Sequence, residues 1–148
     1  MQALDSLLSY TIWANRTWLD FVFRDAASDA WLTGMISHIY LAEQAWFQRI
    51  YDEAVYPGVF ETRTAAELTA MAELHEGRYT QVLQSDLDRV IAYKRFNGEA
   101  YETPLGDILL HLVTHGSHHR GQMATHASRE KLPFPTTDFI NYSRTRAT

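Results

Sequence analysis

Apolar side chains recur at three- and four-residue intervals along four long stretches of this chain, a period that suits amphipathic helices and not strands. The first stretch covers roughly two dozen residues, with Leu4, Leu7, Leu8, Ile12, Asn15, Leu19 and Val22 on one face. Arg24 to Asp29 is a short polar break, and Asp29 is placed to cap the second stretch. That second stretch runs to about Tyr51 and carries Met35, His38, Ile39, Ala42, Trp46 and Arg49 on one stripe. Asp52 to Arg63, with Pro57-Gly58, has the composition of a loop. The third stretch opens on Thr64-Ala65-Ala66-Glu67, a capping box in which hydroxyl and carboxylate satisfy free N–H groups reciprocally. Its apolar positions are Leu68, Met71, Leu74, Tyr79, Val82 and Leu83.

Between the third and fourth stretches the pattern changes. Asn97-Gly98 separates Val90–Phe96 from Glu99–Thr103, and the dipeptide predicts a hairpin closed by a two-residue turn. Thr103-Pro104 then offers an N-cap hydroxyl and a proline at the first position of a fourth helix, which continues to about Arg129. Pro133 and Pro135 stop a further long helix and predict an irregular tail. Four such helices bury their apolar faces best against one another. The expected fold is therefore all-α, a four-helix bundle with a small β-hairpin between helices 3 and 4, in one domain spanning residues 1–148.

Composition removes several functions. The chain has no cysteine, so disulfides, thiolate ligands and a cysteine nucleophile are excluded. A formal net charge of -5 argues against a general nucleic-acid binder, which needs a concentrated basic face. No apolar run approaches the length of a membrane span. Residues 1–10 carry no Lys or Arg ahead of their apolar side chains, and Asp5 interrupts them, so a cytoplasmic protein is expected.

The histidines carry the functional signal. Five of the seven lie between positions 111 and 126. His111, His115 and His119 share one face of the fourth helix, but the outer two are roughly 12 Å apart along its axis, too far for one ion. Neighbours at i and i+4 suit a shared metal, so His115 and His119 are candidate ligands and the third must come from another helix. His38, on the apolar stripe of the second helix, is the leading donor. His75 is a weaker one, because Glu73 and Glu76 suggest a solvated face. His118 and His126 are expected at the rim or in solvent.

The run His115-Gly116-Ser117-His118-His119-Arg120-Gly121-Gln122 resembles the signature of the DinB/YfiT-like family of metal-dependent enzymes, and the resemblance covers nearly the whole chain. Tyr10-Thr11-Ile12-Trp13-Ala14-Asn15 is similar to the family's first-helix pattern, and His38-Ile39 with Glu43 and Trp46 to the segment carrying its first metal ligand. Pro135, Thr137 and Asp138, with a tail reaching Tyr142, are similar to its C-terminal pattern. The chain departs from the family in the short connection between its first two helices. The resemblance implies up-down-down-up connectivity, a single metal on His38, His115 and His119, and a homodimer. It implies no single reaction: some branches are S-transferases or isomerases that use a low-molecular-weight thiol, and others resemble hydrolases.

Three neutral imidazoles leave a coordination position open, as in catalytic rather than structural sites, and they favour zinc, nickel or a similar transition ion over magnesium or calcium. No carboxylate comes directly after the first His of the pair as in zinc proteases, and there is no serine elbow, phosphate loop or dinucleotide fingerprint. The expected chemistry is a metal-bound thiol or water acting on a small electrophilic substrate, with no protein nucleophile. The alternative is a non-catalytic metal-binding or stress-response protein. Gln122, at the edge of the ligand face, is placed to touch substrate or a ligand. Arg120 is expected to pair with an acid or a helix end, Asp138 being one candidate. Asn15 is expected to make a buried hydrogen bond that orients a ligand His. Trp13, Trp46 and Tyr10 are expected in the core and in the pocket walls.

Overall fold

In the computed structural model, which describes residues 2–146, the helical period is realised as α1 (Gln2–Asp25), α2 (Ala30–Ile50), α3 (Ala65–Val82) and α4 (Leu105–Arg129). The strands β1 (Val90–Lys94) and β2 (Ala100–Pro104) stand between α3 and α4. Two local signals hold as expected. Asp29 Oδ1 accepts from the N–H groups of Trp31 and Leu32 at 3.0 and 2.9 Å and starts α2. The capping box of α3 is complete, with Glu67 N–H on Thr64 and Thr64 N–H on Glu67.

The helix directions follow from which residues share a core. One apolar cluster gathers Trp18 and Val22 from late α1, Leu32 and Ile36 from early α2, Leu68 from early α3, and Met123 and Ala127 from late α4. The other gathers Leu8 from early α1, Phe47 and Ile50 from late α2, Tyr79 and Val82 from late α3, and Leu105 to Val113 from early α4. Only an up-down-down-up bundle puts those ends together, which is the connectivity the resemblance implies. Between the clusters, at one level of the bundle, Asn15, Glu43, His75 and Arg120 are all buried, one from each helix.

Three local expectations are corrected. The hairpin forms, antiparallel with Val90 opposite Pro104 and Lys94 opposite Ala100, but its strands are shorter than expected and its turn is longer. Gly98 N–H bonds Arg95 O, Arg95 N–H bonds Glu99 O, and Gly98 has φ 89°. Those bonds define a three-residue loop, Phe96-Asn97-Gly98, in which a turn leads into a left-handed glycine, a solution as open to Asn-Gly as the two-residue turn.

Thr103 does not cap α4. Its hydroxyl meets Tyr93 OH at 3.2 Å, Pro104 is still paired with Val90, and the helix starts at Leu105. The free N–H groups of Leu105 and Gly106 are taken by the carbonyls of Arg89 and Leu87, both at 2.9 Å, so no side-chain cap is needed. The tail is not wholly irregular. After Pro133 and Pro135 it forms a short α5 (Phe139–Thr145), whose Tyr142 packs with Tyr10 and Ala14.

Two helix faces also differ from expectation. Leu74, expected in the core, is half exposed, whereas Leu68, Ala72, His75, Tyr79 and Val82 form the buried stripe of α3. On α2 the buried surface is broad and includes Ile36, Tyr40, Glu43 and Phe47. Trp46 and Arg49 lean instead on the hairpin, with the Arg49 guanidinium 4.7 Å from the Trp46 ring centre and 5.5 Å from that of Tyr93.

Candidate metal centre

His38 projects from α2 and His115 and His119 from one face of α4, and the fold brings the three together. Their potential ligand atoms all lie within 4.8 Å of one another, and among the described residues no carboxylate joins the group. Nε2 of His115 and Nε2 of His119 are 3.1 Å apart. Two imidazoles on one tetrahedral ion with bonds of 2.0–2.1 Å stand about 3.3 Å apart, so the pair needs almost no adjustment. His111, one turn earlier, lies tilted 5.6 Å from the His115 ring and edge-on 5.4 Å from the Trp46 ring and stays outside the group, as helix geometry requires.

On two of the three rings the nitrogen facing away from the centre is occupied. His38 Nδ1 donates to the carbonyl of Val59 at 2.8 Å, and His119 Nδ1 donates to Gln122 Oε1 at 2.8 Å. A proton fixed on Nδ1 leaves Nε2 bare, the form that binds a metal, and supports the ring from behind. Gln122 is thereby in contact with His119 one turn before it. Val59 and its neighbour Phe60 have no sequence signal: both sit in the connection between α2 and α3, and Phe60 stacks flat on His38 with ring centres 4.4 Å apart and planes 4° from parallel. That connection is anchored to the bundle by Arg63 N–H on Ser37 Oγ and Tyr56 N–H on Gln48 Oε1.

Burial favours the neutral form of His115 and His119. Burial and the neighbouring His119 and His38 push His115 down to about 3, and burial is the main cause lowering His119. Uncharged imidazoles with converging bare nitrogens are a poor arrangement for the protein alone, since Nε2 atoms 3.1 Å apart can share at most a proton. They are a good one for a borderline transition ion, so the donor set fits the group. What such a centre can do is bind one ion with positions left over.

The other candidates fall elsewhere. His118 is exposed. His126 is not a free rim residue: its Nε2 meets Asp29 Oδ2 at 2.8 Å and its ring stacks on Trp31. His75 is the clearest correction. It is 2% exposed, not solvated, and its Nδ1 donates to Glu43 Oε2 at 3.0 Å. Glu43 also accepts from Asn15 Nδ2 at 2.8 Å and from Tyr79 OH at 3.0 Å. Asn15 makes its buried hydrogen bond as expected but orients no ligand His, because its amide oxygen accepts from Arg120 Nη1. Arg120 does not pair with Asp138; it reaches Asn15 and, at 3.3 Å, Tyr10 OH. Gly116 makes room for it, since a Cβ there would lie 2.9 Å from Arg120 Nη1.

No curated protein matches the chain. A sequence model of the DinB family matches residues 1–143. That match takes in α1 to α4, the paired His115 and His119, and His38 opposite them, and on it the chain belongs to the DinB family.

Proposed function

We propose that this protein is a metal-dependent enzyme whose single divalent ion is held by His38, His115 and His119 and acts on a small electrophilic substrate. The observation that carries the proposal is the convergence of bare ring nitrogens whose opposite nitrogens are already committed to Val59 O and Gln122 Oε1. An ion bound there, zinc or nickel by ligand type, would supply a Lewis-acid centre able to acidify a low-molecular-weight thiol or a water.

The protein's own part is positional. His38, His115 and His119 hold the centre, Val59 O and Gln122 fix two of the rings, and Phe60 shields one face of His38. Glu43, the nearest buried carboxylate on α2, is fully engaged by Asn15, Tyr79 and His75 and is no general base for this site. A reaction that needs no protein base or nucleophile is therefore favoured, which suits thiol transfer or isomerisation first and hydrolysis second.

The test compares metal-loaded and chelated protein with several low-molecular-weight thiols and activated substrates, monitoring thiol consumption and hydrolysis separately. Metal-dependent thiol consumption selects the transferase, and metal-dependent hydrolysis without thiol selects the hydrolase. Activity surviving complete metal removal overturns the proposal, and metal binding with no activity across the screen leaves a metal-binding protein. A homodimer belongs to the same proposal, supported by the exposed Val90, Phe96 and Tyr101 on the hairpin. Sedimentation as a 17.1 kDa species at micromolar concentration would remove it.

A further inference from the structure

On the side of the bundle formed by α1, α2 and α3, a cavity of about 10 Å³ is lined by Arg16, Tyr40, Glu43, His75 and Glu76 among others. That is about the room one water molecule needs. Three buried side-chain atoms on these residues lack a hydrogen-bond partner among the described residues: Arg16 Nε, Tyr40 OH and His75 Nε2. Each comes from a different helix. A buried polar atom left unpaired is costly, and three around one small cavity are not a chance scatter.

The hydrogen-bonding roles are fixed by the neighbours. Glu43 accepts from Asn15, Tyr79 and His75. His75 therefore donates from Nδ1, facing Glu43, and in the neutral ring Nε2 is a bare acceptor. Arg16 Nε is only a donor, its Nη2 being spent on Glu76 at 2.8 Å. The Tyr40 hydroxyl can donate or accept. The Tyr40 and His75 rings are 6.1 Å apart between centres, with no direct bond between them. One donor, one acceptor and one group that is either are the complement of a single water.

An ion does not satisfy the same set. A cation would face the Arg16 guanidinium, and an anion would face the carboxylates of Glu43 and Glu76.

We infer that a single structural water occupies this cavity, accepting from Arg16 Nε, donating to His75 Nε2 and bonding the Tyr40 hydroxyl, so that it joins α1, α2 and α3. It closes a polar circuit that runs from the surface pair Arg16–Glu76 through His75, Glu43 and Asn15 to Arg120 on α4.

The decisive variant is Tyr40→Phe, because the two possibilities give opposite signs. A hydroxyl bonded to a buried water is lost at a cost, and the melting temperature falls. A hydroxyl that is truly unpaired is relieved by its removal, and the melting temperature rises or holds, which would overturn the inference. A crystal structure of the unmodified protein at a resolution that orders buried solvent gives the independent check. One peak at hydrogen-bonding distance from all three atoms supports the site, and an empty cavity or a direct Tyr40–His75 bond overturns it. Imidazole nitrogen NMR should show His75 protonated on Nδ1 and bare on Nε2; the reverse tautomer would also overturn it.

Discussion

Two polar clusters lie at the same level of this bundle and are built on opposite principles. In the interior, Asn15, Glu43, His75 and Arg120 contribute an amide, a carboxylate, an imidazole and a guanidinium, and every pair that meets is a donor with an acceptor. In the groove between α2 and α4, three identical rings turn like atoms toward one another. The first cluster is satisfied from within except at His75 Nε2, which the proposed water takes, and at Arg120 Nε, which has no partner among the described residues. The second is satisfied only by something that accepts lone pairs from all three rings. Near-complete donor–acceptor matching marks the inner layer as part of folding, and the lack of it supports the reading of the outer cluster as the proposed metal site.

The comparison breaks or holds on what each cluster loses when cut. The largest effect is expected at the outer cluster. His38→Ala, His115→Ala and His119→Ala should each abolish stoichiometric metal binding, exceeding the roughly 10–100-fold loss typical of an outer partner, while helical circular dichroism is retained. Metal analysis after dialysis checks this, and one equivalent bound in all three variants would unmake the assignment.

Next in size is Glu43→Ala, which leaves three buried donors, on Asn15, Tyr79 and His75, without an acceptor. A loss of about 3–5 kcal/mol in unfolding free energy is expected, read by urea denaturation, with whatever remains folded still binding one ion. If Glu43→Ala removed the metal and spared stability, the roles of the two clusters would be interchanged.

Gln122→Ala should weaken metal binding by about 10–100-fold without changing the stoichiometry, because it frees one ring and removes no ligand. Competition against a chelator of known affinity measures it.

The smallest effect concerns pH. His115 is held far below its ordinary 6.5 in the folded metal-free protein, so below that pH the unfolded chain takes up protons that the fold refuses. Metal-free stability at this residue is thus fully present above about pH 6.5 and lost progressively as pH falls toward about 3. His115→Ala should flatten that part of the profile of urea midpoints, and an unchanged profile would count against burial of a neutral ring there.

How far the sequence reveals these clusters depends on where the information sits. Asp29, the Thr64–Glu67 box and the His115–His119 pair are legible because cap and ligand geometry are local, set within four residues on one helix. His75 is masked by its acidic neighbours, yet a signal exists: 68, 72, 75, 79 and 82 keep an alternating four-three spacing that Leu74 breaks. Its partner Glu43 is on another helix, and so is Arg120's partner Asn15, and nothing local distinguishes Asn15 from Asp138 as a destination. The three-residue hairpin loop escapes the sequence because Asn-Gly satisfies two turn geometries, and only the ladder register selects between them. Val59 acts through its backbone carbonyl, which no side chain announces.

That carbonyl has a consequence for how the protein would handle the proposed ion. His38 takes its orientation from a segment outside the bundle, so seating an ion on His38 and ordering residues 51–64 are two sides of one equilibrium. Each ion bound should make that segment harder for a protease to enter, and each cut in the segment should loosen the ion. A nick between α2 and α3, far along the chain from His115 and His119, would then serve as a release mechanism for metal without any ligand being touched.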